Sequence, residues 1–342
     1  MNAEFRKHIL KFRTPGGTSR GVLREKISWI IKLSDEKSSG YGEVSLIPGL
    51  SIDHELEIEC VLENVCRDLS AGRTDFTELR NSFPAVLFGI EQVLLDIRNG
   101  GNGKLFSNTF SEGKHGIKMN GLIWMNPVSV MKEEGKKKIE SGFDCLKFKI
   151  GSFDFDEEFG MLSYFRKTYG EKIEIRVDAN GAYDEKNVFS VMEKLAELNI
   201  HSIEQPVKPK QYSLMRKICS QCKVPVALDE ELIGVPKNEM ENLLDEISPA
   251  YLILKPSLLG GLTVSDEWIR ISEKKNISWW ATSALESNIG LNAIAQWVGN
   301  YDLHLPQGLG TGSLYENNFS YPLEIRKDEL WMRTDKNRNI GF

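Results

Sequence analysis

Short apolar runs separated by polar turns dominate the chain, and their texture changes along it. Residues 20–33 (RGVLREKISWIIKL) and 40–47 (GYGEVSLI) have strand-like apolar and β-branched content, and DEKSSG between them reads as a turn. That pairing predicts an antiparallel hairpin. Residues 56–71 and 84–97 then show helical spacing. The second, PAVLFGIEQVLLDI, is apolar nearly all round and should be well buried. The glycine-rich stretch NGGNGK at 99–104 is the best boundary signal.

After about residue 121 the pattern becomes regular. Apolar runs (GLIWM, CLKFKI, IEIRVDAN, HSIEQPV, VPVALDE, YLILKP, SWWATSALE) alternate with amphipathic helical stretches such as NVFSVMEKLAELN, NEMENLLDEIS and VSDEWIRISEKK. An eighth run, LHLPQGLG, is weaker. Repeated βα units predict a parallel sheet with its crossovers outside. Eight of them favour a closed α/β barrel over an open doubly wound sheet. No GxGxxG follows the first strands, which also counts against a dinucleotide-binding fold.

Composition narrows the setting. The 342 residues are 41% apolar and 27% charged, as in an ordinary folded chain. A net charge of -6 argues against a nucleic-acid surface. No run approaches the roughly 20 apolar residues of a membrane span. The start, MNAEFRKHILKFRTPGG, lacks the apolar segment of a secretory signal. Cys60, Cys66, Cys145, Cys219 and Cys222 have no framework spacing and fit a reducing compartment, so a cytoplasmic location is expected. Cys219 and Cys222 make one CxxC inside a helix-like segment. Without a second pair, ordinary helical thiols are the simpler reading.

Polar residues at the ends of the runs carry the chemistry. Lys147 and Lys149 end the second run, Asp178 and Asn180 the third, Glu204 the fourth, Asp229 the fifth and Lys255 the sixth. From Lys149 onward the steps are 29, 26, 25 and 26 residues, the βα repeat itself. These side chains should therefore ring the C-terminal mouth of the barrel, where barrel enzymes place their chemistry. A lone carboxylate there would more simply pair with an outer lysine. Three from adjacent strands would repel one another without a cation, and hard oxygen ligands suit Mg²⁺. Asn180, two residues after Asp178, can touch the metal shell or support a ligand. Lys147 and Lys149 share a strand face, and Lys255 comes from across the barrel. Crowded cations lower lysine pKa values, so a lysine becomes available as a general base. The arrangement suits removal of a proton next to a metal-bound carboxylate, followed by elimination, racemisation or cycloisomerisation.

With LKFKIG, RVDANGAY, IEQPV, ALDEEL and LILKPSLLGG in this order, the chain resembles the enolase superfamily, specifically the group of muconate lactonizing enzyme. The resemblance spans nearly the whole chain. It implies an N-terminal α+β capping domain (1–115, with 318–342 returning to it) and a modified TIM barrel, (β/α)7β, over 116–317. It implies Asp178, Glu204 and Asp229 as Mg²⁺ ligands, with Mn²⁺ able to substitute. It implies Lys149 as the base, Lys255 as the opposite lysine that stabilises the enediolate, and Lys147 as an electrostatic helper. No late His–Asp pair is present, so the mandelate racemase pattern does not fit. QGLGTGSLY at 307–315 lacks the acids with which dipeptide epimerases hold an amine. SALES (283–287), GLGTG and NGLIWMN instead resemble the o-succinylbenzoate synthase family. That implies dehydration of 2-succinyl-6-hydroxy-2,4-cyclohexadiene-1-carboxylate to o-succinylbenzoate in menaquinone biosynthesis.

The expected partner is thus a small carboxylate substrate, not nucleic acid or membrane. Ser283 can bond a substrate carboxylate or, equally, backbone. Gly308 and Gly310 can admit backbone N–H groups near the succinyl chain or serve turn geometry. Arg20, in the glycine-bearing segment TPGGTSR (14–20), can reach the distal carboxylate, with a surface ion pair the plainer reading. SLIPGL (45–50) is a second lid segment. Lys136–Lys138 reads as a solvated helix face. Rival readings are an N-acylamino acid racemase of the same group, a class I aldolase using Lys255, and a non-catalytic barrel. Helix faces do not separate packing within the chain from packing between chains, so oligomeric state stays open.

Overall fold

The computed structural model describes residues 1–18 and 21–342. The chain opens with a three-stranded antiparallel sheet, β1 (Asn2–Thr18), β2 (Gly21–Ser34) and β3 (Ser39–Ser45), in the order β1-β2-β3. The expected hairpin is β2–β3, with Ser34 opposite Ser39. β1 extends through Thr14–Gly17, so that glycine segment runs into strand pairing, with Thr18 opposite Gly21. Helices α1 (Ile58–Ser70) and α2 (Pro84–Arg98) pack on this sheet. α2 buries residues all round its axis, as its composition predicts.

After the short β4 (Ile117–Lys118), seven parallel strands follow: β5 (Gly121–Ile123), β6 (Cys145–Lys149), β7 (Glu174–Asp178), β8 (Ser202–Glu204), β9 (Val226–Leu228), β10 (Tyr251–Leu254) and β11 (Ser278–Ala281). Their spatial order is their chain order. Helices α3 (Val128–Glu140), α4 (Phe155–Tyr169), α5 (Val188–Ala196), α6 (Tyr212–Gln221), α7 (Met240–Ile247), α8 (Pro256–Leu259) and α9 (Leu262–Lys274) lie between them in the chain, and α10 (Asn288–Val298) follows β11. The weak eighth run forms no named strand. Gln307 and Gly308 nevertheless bridge both sheet edges, through Met119 on one side and Thr282 on the other. The parallel sheet thus curls until its first and last edges share one segment. β12 (Leu323–Arg326) pairs with β13 (Glu329–Met332), which pairs with β4, while Phe319, Tyr321 and Ile340 pack against Ile30 of β2.

Two carboxylates tie the first sheet and its helix to the barrel. Glu43 of β3 accepts from Ser287 N–H at 2.9 Å and Gly290 N–H at 3.0 Å, at the start of α10. Glu91 of α2 accepts from the N–H groups of Leu262 and Thr263, at the start of α9. Both use the free donors and positive end of a helix N-terminus. Gly261 makes the second tie possible. Its φ is +99°, and a Cβ there would sit 2.2 Å from Glu91 Oε2.

Gly261→Ala should therefore destabilise the protein by about 1–3 kcal/mol, from backbone strain plus displacement of Glu91. Gly72→Ala, at φ +93° in open space, is the control for strain alone. Urea unfolding of both variants checks this: equal losses would mean the Glu91 contact contributes nothing.

Candidate active site

Strand register sets the site. Lys149 pairs with Asp178, and Asp178 with Glu204, so these three stand side by side at the C-terminal ends of β6, β7 and β8. Glu204 pairs with Ala227, two residues before Asp229. The period-two alternation of each strand then turns Lys147, Lys149, Asp178, Glu204 and Asp229 to the barrel interior. Below them the barrel is filled by Ala227, Ile253 and Trp280, with the Arg176 guanidinium 4.2 Å above the Trp280 ring.

The loops are braced. Glu158 of α4 accepts from the N–H groups of Gly151, Ser152 and Phe153, which fixes the turn leaving Lys149. Gln205, at φ +41°, accepts from Asp229 N–H and Glu231 N–H through one amide oxygen. The glutamine of IEQPV thereby orders the ALDEEL turn.

The charges neutralise one another in pairs. Lys147 Nζ lies 3.0 Å from Asp178 Oδ2 and 2.5 Å from Glu204 Oε2. Lys149 Nζ lies 2.7 Å from Asp178 Oδ2. Lys255 is hydrogen-bonded to Asp229 and lies 3.7 Å from Glu204 Oε1. Lys149 also donates to Asn180 Oδ1 at 2.6 Å, and Asn180 Nδ2 donates to Glu230 Oε1 at 3.0 Å. The Asn180 backbone is left-handed, at φ +45°. Glu230, the middle acid of DEE, was not singled out by the sequence, although its adjacency to Asp229 was a visible signal.

Burial alone would lower the pKa of Lys147, but Asp178 and Glu204 outweigh it and the net shift is upward. Lys255 behaves the same way, with Asp229 and Glu204 as the main opposing charges. Burial would raise Asp178, but Lys147 and Lys149 hold it well below the usual carboxylate range. The expected lowering of these lysines by mutual repulsion is therefore reversed for Lys147 and Lys255. Carboxylates sit closer to each of them than other lysines do.

The carboxylates face lysines and not one another, and among the described residues no three metal-binding groups are drawn into a cage. The donor chemistry still fits a hard divalent cation. All three groups offer oxygen, they come from consecutive strands, and Glu204 Oε1 accepts no hydrogen bond although it is buried.

A cavity of 770 Å³ opens above the charges, lined by Lys147, Lys149, Lys255, Asn180, Ser283 and Gly308 among others. Phe12, Thr14–Gly16, Ile47 and Leu50 from the N-terminal part also line it, so both segments singled out as lids reach the cavity. Arg20 lies outside the described residues. Ser283 is committed inside the wall: its hydroxyl donates to Glu286 Oε2 at 2.5 Å and accepts from Thr311 at 2.8 Å. Gly308 is required by packing, since a Cβ would meet Thr282 Oγ1 at 2.5 Å, whereas Gly310 borders open space. The lysine run at 136–138 is not wholly a solvated face. Lys138 is half-buried, 4.9 Å over the Phe143 ring, and burial lowers its pKa. Lys137 and Lys138 both line the cavity.

A family profile described as enolase C-terminal domain-like matches residues 130–332. The chain is 41% identical to the o-succinylbenzoate synthase of Desulfotalea psychrophila, over 95% of this chain and 97% of that one. The crystal structure of MenC from the same organism superposes with a TM-score of 0.87 at 38% identity, covering 97% of this chain and 99% of that one. A dipeptide epimerase from Enterococcus faecalis, solved with Mg and the dipeptide L-Leu-L-Tyr, gives a TM-score of 0.84 over 99% of this chain and 98% of that one. At 18% identity it shares the fold alone.

Lys147→Met would leave Asp178 and Glu204 short of their shared cation. The cation-free protein should lose on the order of 3 kcal/mol of stability. Chemical denaturation in a chelating buffer measures it, and an unchanged midpoint would show that Lys149 and Lys255 suffice.

Proposed function

The chain belongs to the enolase C-terminal domain-like family of the enolase superfamily, and we propose that it is an o-succinylbenzoate synthase, a carbon–oxygen lyase. It dehydrates 2-succinyl-6-hydroxy-2,4-cyclohexadiene-1-carboxylate to o-succinylbenzoate. The observation that carries this reading is the 41% identity to a synthase across 95% of the chain. The site supports it. Lys147, Lys149 and Lys255 lie against Asp178, Glu204 and Asp229, and Glu230 adds a fourth carboxylate to the cavity wall, so the site offers oxygen donors to a cation and ammonium groups to an anionic substrate. Asp178, Glu204 and Asp229 are the residues that would hold the cation, Mg²⁺ in this reading with Mn²⁺ able to substitute. Such an ion supplies Lewis-acid polarisation of the ring carboxylate.

The chain's own groups do the rest. Lys149 takes the proton from the ring carbon that bears the carboxylate, with Asn180 Oδ1 aiming its amine. Lys255 approaches from the other side, hydrogen-bonded to Asp229, and in this reading acts as an ammonium group. It therefore faces the developing enediolate as a cation. Lys147 keeps Asp178 and Glu204 in place. The C–O bond then breaks, the ring becomes aromatic, and Lys149 returns its proton to the departing hydroxide, which leaves as water. The cavity wall at residues 308–313 offers glycines, Thr311 and Ser313 and no acid for a substrate amine.

Purified protein should convert the cyclohexadiene carboxylate with Mg²⁺, lose the activity in EDTA and regain it on adding Mg²⁺ or Mn²⁺. Lys149→Ala should reduce kcat by about 10³-fold or more while retaining its fold. A folded wild type that leaves this substrate untouched but racemises N-succinylamino acids would sink the dehydratase reading.

A further inference from the structure

Asn120, just before β5, is only 3% exposed, yet no described residue hydrogen-bonds to its side-chain amide. Its backbone is fixed, with the N–H donating to Gln307 O at 2.9 Å. Its side chain lies on the same strand face as Leu122, which pairs with Lys147. Both Asn120 and Leu122 line the cavity that holds Lys147, Lys149 and Lys255. Asn120 Oδ1 is shielded against the wall, so the end of the amide left for a ligand is its NH₂ group. Oδ1 is itself an acceptor and gains nothing from an accepting ligand, so any ligand bond here is made by the NH₂ group, which has no partner among the described residues.

This step rests on the substrate reading above. The substrate carries four polar groups: two carboxylates, the departing hydroxyl and the ketone of the succinyl chain. The ring carboxylate belongs beside the cation ligands and Lys147, and the hydroxyl beside Lys149. The distal carboxylate is an anion, and a single neutral N–H in a water-poor recess would not repay its desolvation. The ketone is neutral and only accepts, so it matches such a donor. We infer that Asn120 Nδ2 donates to the succinyl ketone and makes Asn120 a specificity residue for 2-acyl ring acids. The contact is present in substrate, transition state and product alike, so it acts on binding and not on the chemical step.

The test uses the Mg²⁺-loaded protein and two ligands measured by calorimetry. One is o-succinylbenzoate. The other is 2-(3-carboxypropyl)benzoate, in which CH₂ replaces the ketone. Asn120→Leu should weaken o-succinylbenzoate about tenfold and leave the CH₂ analogue within about twofold. In turnover it should raise KM with kcat nearly unchanged. Asn120→Ala, which adds no bulk, decides the matter if the leucine variant does not fold. Equal weakening of both ligands would show a packing role, and no weakening would show that the amide meets only water. Either result overturns the inference. Failure of the wild type to bind o-succinylbenzoate overturns the substrate reading and the inference together. Binding without turnover overturns the dehydratase reading alone, and the two-ligand comparison still decides the Asn120 contact.

Discussion

Three lysines share the barrel mouth with Asp178, Glu204, Asp229 and Glu230, and each depends on the others. Lys147, Asp178, Glu204, Asp229 and Lys255 are all buried, and Lys149 is half-buried. An unpaired charge at such a depth costs several kcal/mol. The fold must therefore bring opposite charges from different strands to within 3–4 Å. It does so through register, because parallel pairing of β6, β7 and β8 aligns Lys149, Asp178 and Glu204 without any loop. The same ion pairs that allow these charges to be buried also keep the carboxylates apart. Each of Asp178, Glu204 and Asp229 is thus held by a lysine from a different strand.

The N-terminal part is coupled to this mouth by the same physics. Glu43 and Glu91 each spend a buried or nearly buried carboxylate on the N-terminus of a barrel helix. Lys26, also buried, bonds Ser45 and Ser28 beside Glu43, and Ser28 donates to Glu43 at 2.8 Å. Ser257, two residues beyond Lys255, and Ser283 both donate to Glu286. A polar seam thus runs from β2 and β3 to the loops that follow β10 and β11. Its hydrogen bonds are directional, so they set how the cavity's upper wall sits over the charges. Apolar packing would have left that orientation looser.

Much of this was legible in the sequence, and the reason is periodicity. Strand alternation put Lys147 and Lys149 on one face, and the repeat length put Asp178, Glu204, Asp229 and Lys255 at matched heights. The hairpin, the buried α2 and the βα order followed from apolar spacing in the same way. Local pattern misjudged Lys138, whose half-burial comes from Phe143 and not from its own helix. It was silent on Glu230 and on the unsatisfied Asn120, because neither lies at a position that spacing alone distinguishes. It also read Ser283 as free to choose between substrate and backbone, whereas its hydroxyl is committed to Glu286 only three residues away.

Periodic features depend on neighbours along the chain, and the sequence by itself determined them: the βα order, the ring of strand-end lysines and carboxylates, and the family they resemble. Tertiary structure alone decided which lysine holds which carboxylate, and in which direction each pKa moves. It also decided how Gln307 and Gly308 join the sheet edges and which buried amide oxygen is left without a partner among the described residues. These depend on distances between residues far apart in sequence. A Coulomb interaction or a hydrogen bond changes by its whole value over one or two ångströms, and no spacing rule along the chain resolves that.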